Sequence, residues 1–169
     1  MGRIKNSGTA NGTSGSPQTS LEQEQLKNDM TQAEQNLIQA EDEVEVLFAE
    51  LDTNNVKYTR ENVVFIARDE TGQIVFLETG NSIAGLKHIL QRHSQNFKDA
   101  FNIDASQIPA YLKNVIRYGK VVSSEIVTKN GKQGFERRYN YNGNYYVITG
   151  IGSNGFIVSA YPREIKKGG

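Results

Sequence analysis

Residues 120–161 read KVVSSEIVTKNGKQGFERRYNYNGNYYVITGIGSNGFIVSAY, and this stretch decides the fold. Three Asn-Gly pairs interrupt it, at Asn130-Gly131, Asn142-Gly143 and Asn154-Gly155, and the segments between them are rich in β-branched and aromatic residues. An Asn-Gly pair between such segments is the strongest short-range signal of a tight β-hairpin. The stretch therefore predicts a four-stranded antiparallel meander with strands near 120–128, 135–141, 144–151 and 155–161.

A hairpin and two helices are predicted before this meander. Val63–Ala67 and Ile74–Glu78 are strand-like segments that flank a glycine-containing turn, which indicates two paired strands. A helix is expected over about 84–97, capped by one polar residue of Thr79–Ser82. A second helix has Pro109 near its first turn. Its buried stripe is formed by Leu112, Val115 and Ile116.

The N-terminal third differs in composition from the rest. Residues 1–20 are mostly Gly, Ser, Thr and Asn, which predicts a flexible linker or a remnant of cloning. Residues 21–56 predict a long helix whose apolar residues recur at spacings of three and four. These residues are Leu26, Met30, Ala33, Leu37, Ala40, Val44, Leu47 and Leu51. A coiled coil would need more heptads, so we favour a helix that docks on its own domain or on a preceding segment.

These elements together predict an α+β fold: two helices followed by a four-stranded antiparallel sheet, preceded by a β-hairpin and a long N-terminal helix. The predicted domain covers 57–163 and a basic tail covers 164–169.

Composition excludes several classes of protein. The chain has 169 residues and no cysteine, which rules out disulfides, zinc ribbons and thiolate nucleophiles. No apolar run approaches the roughly 20 residues of a membrane span, and no secretory signal follows the N-terminus, so no membrane partner is expected. Although 19 basic and 19 acidic residues balance, acids dominate 21–51 and bases dominate after Leu86. This asymmetry indicates an anionic partner for the C-terminal part, and ordinary solvated lysines are the alternative.

The two histidines, His88 and His93, lie on the first predicted short helix with Arg92 between them. At 100° per residue, His88 and Arg92 share one face with Lys87 beside them, while His93 falls on the apolar stripe. His93 is therefore either a half-buried structural histidine or a catalytic imidazole held against the sheet.

Metal-free cleavage of RNA requires a base, an acid and a cation near the phosphate. Histidine can serve as base and acid, and arginine binds phosphate through paired donors. Two histidines without clustered carboxylates predict neither a zinc nor a magnesium site, and no cofactor is expected.

The later strands offer supporting residues. Ser159 and Tyr161 are expected on one face of the last strand, together with Ile157, and Pro162 is expected to end that strand. Arg137 and Arg138 are interpreted as surface charges able to contact phosphate. Thr149 is a weaker candidate for RNA binding, as is Tyr146.

The first predicted short helix contains the motif Gly85-Leu86-x-His88-Ile89-x-x-Arg92-His93. It follows the segment Leu77-Glu78-Thr79-Gly80-Asn81, and the chain has a closing strand at Gly155–Pro162. This combination resembles the barnase–EndoU–colicin–RelE-like (BECR) nuclease superfamily, in particular its phage-associated and polymorphic-toxin branches. The resemblance covers roughly residues 57–163. It implies a metal-independent ribonuclease, often directed at transfer RNA, whose site joins the residues His88, Arg92, His93, Ser159 and Tyr161.

The resemblance also implies a cellular role. The domain would be the tip of a secreted or delivered toxin that acts in the cytoplasm of a target bacterium, and a cognate immunity protein would block it. Two other interpretations stay open: a noncatalytic binding or structural module of a phage or secreted protein, and a ribosome-dependent nuclease.

Overall fold

The computed structural model describes residues 32–141 and 143–166. The chain divides after Asp42 into two units. Of the first unit, the structure describes residues 32–42, which begin a helix; the other described elements belong to Glu43–Gly169. The predicted linker 1–20 and the first part of the predicted long helix, residues 21–31, lie outside the described residues.

The elements follow the predicted order, and the α+β class is confirmed. Their bounds are helix α1 Gln32–Thr53, strands β1 Val63–Arg68 and β2 Ile74–Glu78, helices α2 Leu86–Phe101 and α3 Ile108–Tyr118, and strands β3 Lys120–Lys129, β4 Lys132–Asn140, β5 Tyr145–Gly152 and β6 Ile157–Glu164. Short 3-10 turns at Arg60–Asn62 and Ala105–Gln107 precede β1 and α3. Within residues 32–141 and 143–166, no helix has the length and apolar character needed to cross a bilayer.

The meander is an antiparallel sheet with strand order β3-β4-β5-β6. Asn130 and Gly131, both with positive φ, connect β3 to β4, as the Asn-Gly pair predicts. The prediction that Pro162 ends the last strand is wrong, because Pro162 pairs with Val147 and β6 continues to Glu164. β6 is an edge strand. Proline is tolerated on an edge strand because a backbone N–H that faces away from the neighbouring strand makes no ladder hydrogen bond.

One face of this sheet forms the main core and is called the core face. It packs Tyr139, Val147 and Ala160 against the β1–β2 hairpin and against α2 and α3. Buried stripes of the two helices complete this core, with Ile89 and Phe97 from α2 and, from α3, Ile108 and the predicted Leu112, Val115 and Ile116. Side chains at the alternate positions of the strands point to the opposite, outer face, which this core does not cover.

The end of α1 belongs to the same unit as the sheet. Phe48 and Leu51 are buried with Ile66, Ile74 and Phe76 in a second apolar cluster, so this part of α1 docks on the hairpin. The compact unit therefore begins at Glu43 and includes the end of the helix that the sequence placed before residue 57.

A buried polar network crosses the core face. Arg137 is 4% exposed, and its Nη1 donates to Asp69 Oδ2 at 2.8 Å and to Gln73 Oε1 at 2.9 Å. The Tyr139 hydroxyl also donates to Asp69 Oδ2, at 2.6 Å. Burial and this hydrogen bond raise the pKa of the Tyr139 phenol. The interpretation of Arg137 as a surface charge is wrong, because its guanidinium is committed to this internal network.

Thr149 is also an internal residue. Its side chain is fully buried, and its hydroxyl donates to the Arg137 carbonyl at 3.0 Å. Thr149 pairs with Ala160, which faces the core, so Thr149 lies on the wrong side of the sheet for the RNA contact predicted from sequence.

Replacing Asp69 by asparagine should leave the buried Arg137 charge without its counter-charge. We expect the free energy of unfolding to fall by about 3–5 kcal/mol, which is typical of breaking a buried ion pair. Urea denaturation followed by circular dichroism measures the change. Glu50→Gln is the matched control because it breaks the solvent-exposed Arg68–Glu50 pair. An equal loss in both variants would contradict the structural role given to Asp69.

Candidate active site

The outer face of the sheet is organised in rows of directly opposed residues. One row runs across β6, β5, β4 and β3 as Tyr161, Ile148, Arg138 and Ser123, and the adjacent row as Ser159, Gly150, Glu136 and Glu125. Neighbouring strands lie about 4.8 Å apart, so each row spans on the order of 14 Å. The two rows present hydroxyl, guanidinium and carboxylate groups on one surface.

A β-bulge places Ser159 and Tyr161 on this surface. Gly150 pairs with Ser159 and Ile151 pairs with Ile157, so Val158 is an extra residue that resets the alternation. The prediction that Ser159 and Tyr161 share a face is confirmed. The prediction that Ile157 shares it is wrong, because Ile157 is fully buried in the core.

The bulge is also where α2 is attached to the sheet. The Gly85 amide donates to the Val158 carbonyl at 3.0 Å, immediately before the first residue of the helix. Gly85 has a φ of 92°, and a Cβ there would lie 2.9 Å from Gly80 Cα and 3.0 Å from the Glu78 carbonyl oxygen. Only glycine fits this close approach. Gly85 of the helix motif therefore sets where α2 begins.

The predicted polar cap on this helix is wrong. The N-cap residue is Gly85, and no side chain caps it. Asn81 Oδ1 instead accepts the backbone amides of Ile83 and Ala84, at 2.8 and 3.1 Å, and so stabilises the preceding turn.

Both histidines lie at the boundary between α2 and the outer face. The His93 ring stacks on Tyr161 with ring centroids 5.1 Å apart and an interplanar angle of 28°. The His88 and His93 ring centroids are 6.2 Å apart, although a helical wheel separates the two positions by 140°. Both side chains are half-buried, so neither ring is sealed in the interior.

Each imidazole is held through its Nδ1 atom. His88 Nδ1 lies 2.9 Å from the Ser82 carbonyl, and His93 Nδ1 lies 3.1 Å from Asn96 Oδ1. Both partner oxygens only accept hydrogen bonds, so Nδ1 carries the proton in each ring. Nε2 has no hydrogen-bond partner among the described residues, and in each neutral ring it is left as the proton acceptor.

The environment of His93 favours its neutral form. Burial lowers the pKa of the His93 imidazole, and the positive charges of His88 and Arg92 lower it further. The hydrogen bond to Asn96 acts in the opposite direction without cancelling these effects. A histidine that is neutral near neutral pH is suited to accept a proton.

Three further cations predicted from sequence are accessible. Arg92 and Lys87 are exposed on α2, and Arg138 is half-buried on the outer face. Within the described part of the chain, none of the three side chains forms an ion pair. Their donors are free for an anionic ligand, in contrast to those of Arg137.

Sequence inspection missed Glu136. It lies half-buried on the outer face, in the row of Ser159, and Gly150 separates the two. At Gly150 no side chain stands between the Ser159 hydroxyl and the Glu136 carboxylate, and a Cβ there would come no closer than 4.0 Å to its neighbours. The alternation Glu136-Arg137-Arg138 could have indicated that Glu136 and Arg138 share a face opposite to Arg137.

The structure brings His88 and His93 of α2 to Tyr161 of β6. The His88 ring contacts the His93 ring, which in turn stacks on Tyr161. Ser159 precedes Tyr161 on the same face, and Arg92 is near enough to affect the His93 pKa. Among the described residues, no three His, Asp or Glu side chains are grouped closely enough to hold a metal ion.

The His93 pKa provides a direct test of this geometry. By nuclear magnetic resonance, we expect His93 to titrate below the ordinary imidazole value. Tyr161→Ala should raise its pKa because the ring gains solvent, and His88→Gln should raise it because a like charge is removed. The lowered pKa means that the folded state disfavours protonation of His93, so its contribution to stability is lost as the pH falls below the ordinary value. A His93 pKa unchanged by Tyr161→Ala would contradict the stacked arrangement.

Comparison with known proteins does not place the chain in a family. No protein-family model matches it, and a search of curated proteins gave no significant match. The BECR resemblance therefore stays a prediction, and the chemical proposal below rests on the geometry of the residues.

Proposed function

We propose that this chain carries a metal-independent endoribonuclease domain that cleaves RNA through its own 2′-hydroxyl. The observation that supports it best is the pair of half-buried imidazoles, each fixed through Nδ1, beside the outer face of the sheet, on which Arg138 has no ion pair among the described residues. This arrangement supplies two proton-transfer groups and cations on one surface.

In the proposed reaction, neutral His93 accepts the 2′-hydroxyl proton on Nε2. The 2′-oxygen then attacks phosphorus, and the bond from phosphorus to the 5′-oxygen breaks. Protonated His88 donates the Nε2 proton to the departing 5′-oxygen. The products are a 2′,3′-cyclic phosphate and a 5′-hydroxyl, and no co-reactant is consumed.

The spacing of the rings is compatible with one phosphodiester group. Proton-transfer groups act over hydrogen bonds of about 2.6–3.2 Å. Two rings whose centroids are 6.2 Å apart can therefore reach neighbouring oxygens of the same phosphate. Arg92 and Arg138 would neutralise the phosphorane from the two sides of this position, and the hydroxyls of Ser159 and Tyr161 would donate to its oxygens.

The cellular part of the proposal rests on the motif resemblance alone. In it the domain is a toxin delivered into a target bacterium, transfer RNA is one candidate substrate, and an immunity protein covers the site. An assay of the purified protein tests the chemistry without depending on this role.

Incubation of the purified chain with total RNA and EDTA should give fragments that end in a 2′,3′-cyclic phosphate. The end group is identified by resistance to a 3′-ligation that requires a free hydroxyl, and by mass spectrometry. A matched oligonucleotide with a 2′-deoxy residue at the mapped cut should be resistant. Intact RNA at high protein concentration would favour the noncatalytic module, whereas cleavage of translated messages only would favour a ribosome-dependent nuclease.

Substitution of the histidines should identify their roles. We expect His93→Gln and His88→Gln each to lower kcat by roughly 10²–10⁴-fold, the usual effect of removing a general base or acid. Gln95→Ala, on the exposed side of the same helix, is the control and should retain activity. In the parent enzyme, the acidic limb of kcat/KM should lie below the ordinary imidazole pKa because the His93 pKa is lowered. Full activity of His93→Gln would reject the proposed base.

A further inference from the structure

A second group of residues lies on the outer face beside the candidate site. Tyr146 of β5 is directly opposite Arg163 of β6, two pairs along from the opposed Ile148 and Tyr161, and is therefore the next pair on the same face. Tyr146 is half-buried and Arg163 is exposed. The two residues therefore continue the same surface, beyond the row that contains Tyr161 and Arg138.

Tyr146 differs from the other tyrosines of the sheet. Tyr139 is bound to Asp69, and both Tyr141 and Tyr145 take part in aromatic contacts with neighbouring rings. Tyr161 is covered on one side by His93. Within residues 32–141 and 143–166, Tyr146 has neither an aromatic ring contact nor a side-chain hydrogen bond, so no aromatic ring or polar group of these residues occupies it.

The charges around Tyr146 favour an anion. Arg163 has no ion pair in the described part of the chain, and Arg138 is likewise unpaired. The carboxylates of Glu136 and Glu125 belong to the row on the far side of Tyr161 from Tyr146. An aromatic ring beside an unpaired guanidinium matches one nucleotide, which has a flat base and a phosphate.

The distance to the candidate site suits a flanking nucleotide. Tyr146 and Tyr161 are diagonal neighbours on adjacent strands, which places them about 7–8 Å apart. A base on Tyr146 would thus lie next to the phosphate contacted by His88 and His93. A base inside a duplex already stacks on its neighbours and would have to leave them to reach this ring.

We propose that Tyr146 and Arg163 form a nucleotide subsite that binds an unpaired nucleotide next to the cut, with its base on Tyr146 and its phosphate on Arg163. The subsite rests on the proposed ribonuclease function and narrows its substrate to single-stranded RNA or to unpaired loops of folded RNA. Duplex RNA is a poor ligand for this surface.

The test measures binding with RNA that cannot be cut. The probe is a fluorescent single-stranded 2′-O-methyl oligoribonucleotide, compared with the same strand annealed to its complement. The parent chain should bind the single strand more tightly. Tyr146→Ala should weaken this binding by about 10-fold or more, since loss of one base–aromatic stack has an effect of that order. Tyr146→Phe should restore it because the ring is retained.

Arg163→Gln should weaken binding and make it less dependent on salt. Loss of one phosphate contact lowers the slope of log K against log salt by about 0.7 for a single strand. Tyr118→Ala and Lys129→Gln are matched controls, as Tyr118 is an exposed tyrosine at the end of α3 and Lys129 is an exposed cation at the β3–β4 turn. Circular dichroism verifies that each variant is folded.

The outcomes separate the subsite from the nuclease proposal. Tyr146→Ala binding as tightly as the parent, or equal binding of duplex and single strand, overturns the subsite. If RNA is cleaved but Tyr146→Ala leaves KM unchanged, the subsite falls and the nuclease stands. If the parent cleaves no RNA but the single strand binds through Tyr146, the nuclease falls and the subsite stands.

Discussion

The backbone hydrogen bond from Gly85 to Val158 is the constraint on which the candidate site depends. It joins the first turn of α2 to the bulge of β6, and so fixes the imidazoles of the helix relative to the hydroxyls of the strand. The bulge itself turns Ser159 and Tyr161 out of the core. If Ile157, Val158 and Ser159 alternated regularly instead, Ser159 and Tyr161 would share the face of Ile157 and would point into the packed interior. The bulge at Val158 therefore determines both where α2 is attached to the sheet and which side chains of β6 lie on the outer face.

The polar residues of the sheet divide into two classes by the face on which they lie. On the core face, Asp69 satisfies Arg137 and Tyr139, and Thr149 is bound to a backbone carbonyl. Buried polar groups without partners are costly, so this pairing is what a stable interior requires. On the outer face, Arg138 has no ion pair and Tyr146 has no side-chain hydrogen bond or aromatic contact among the described residues, although each is half-buried. Groups held at a surface without a structural partner are the ones available to a ligand, and this contrast distinguishes the candidate site from the network behind it.

The fold was largely predictable from local signals, whereas the site was predictable only in part. Asn-Gly pairs and β-rich segments determine the meander because turn chemistry and the two-residue period act over a few residues. His88, Arg92 and His93 could also be identified as candidate site residues from their spacing on one predicted helix. The prediction that Arg137 and Thr149 contact RNA failed because the sheet face on which they lie depends on the register of the sheet. For Arg137 it also depends on Asp69, which is 68 residues away in the chain. The bulge at Val158 likewise arises from pairing with β5 and has no marker in the sequence of β6 itself. Glu136 was overlooked for the same reason, since its neighbours are contributed by two other strands.

The electrostatics around His93 bear directly on the proposed reaction. At 6.2 Å, a proton on His88 disfavours a proton on His93, and Arg92 adds to this effect. His93 is therefore the ring of the pair that its surroundings bias towards the neutral form. In the proposed reaction, a bound phosphodiester would bring a negative charge beside His93 and favour its protonation. Substrate binding would then raise the proton affinity of His93 and make it a stronger base. A site of this kind works best where the base starts with a lowered pKa, and partial burial of His93 against Tyr161 provides this lowering.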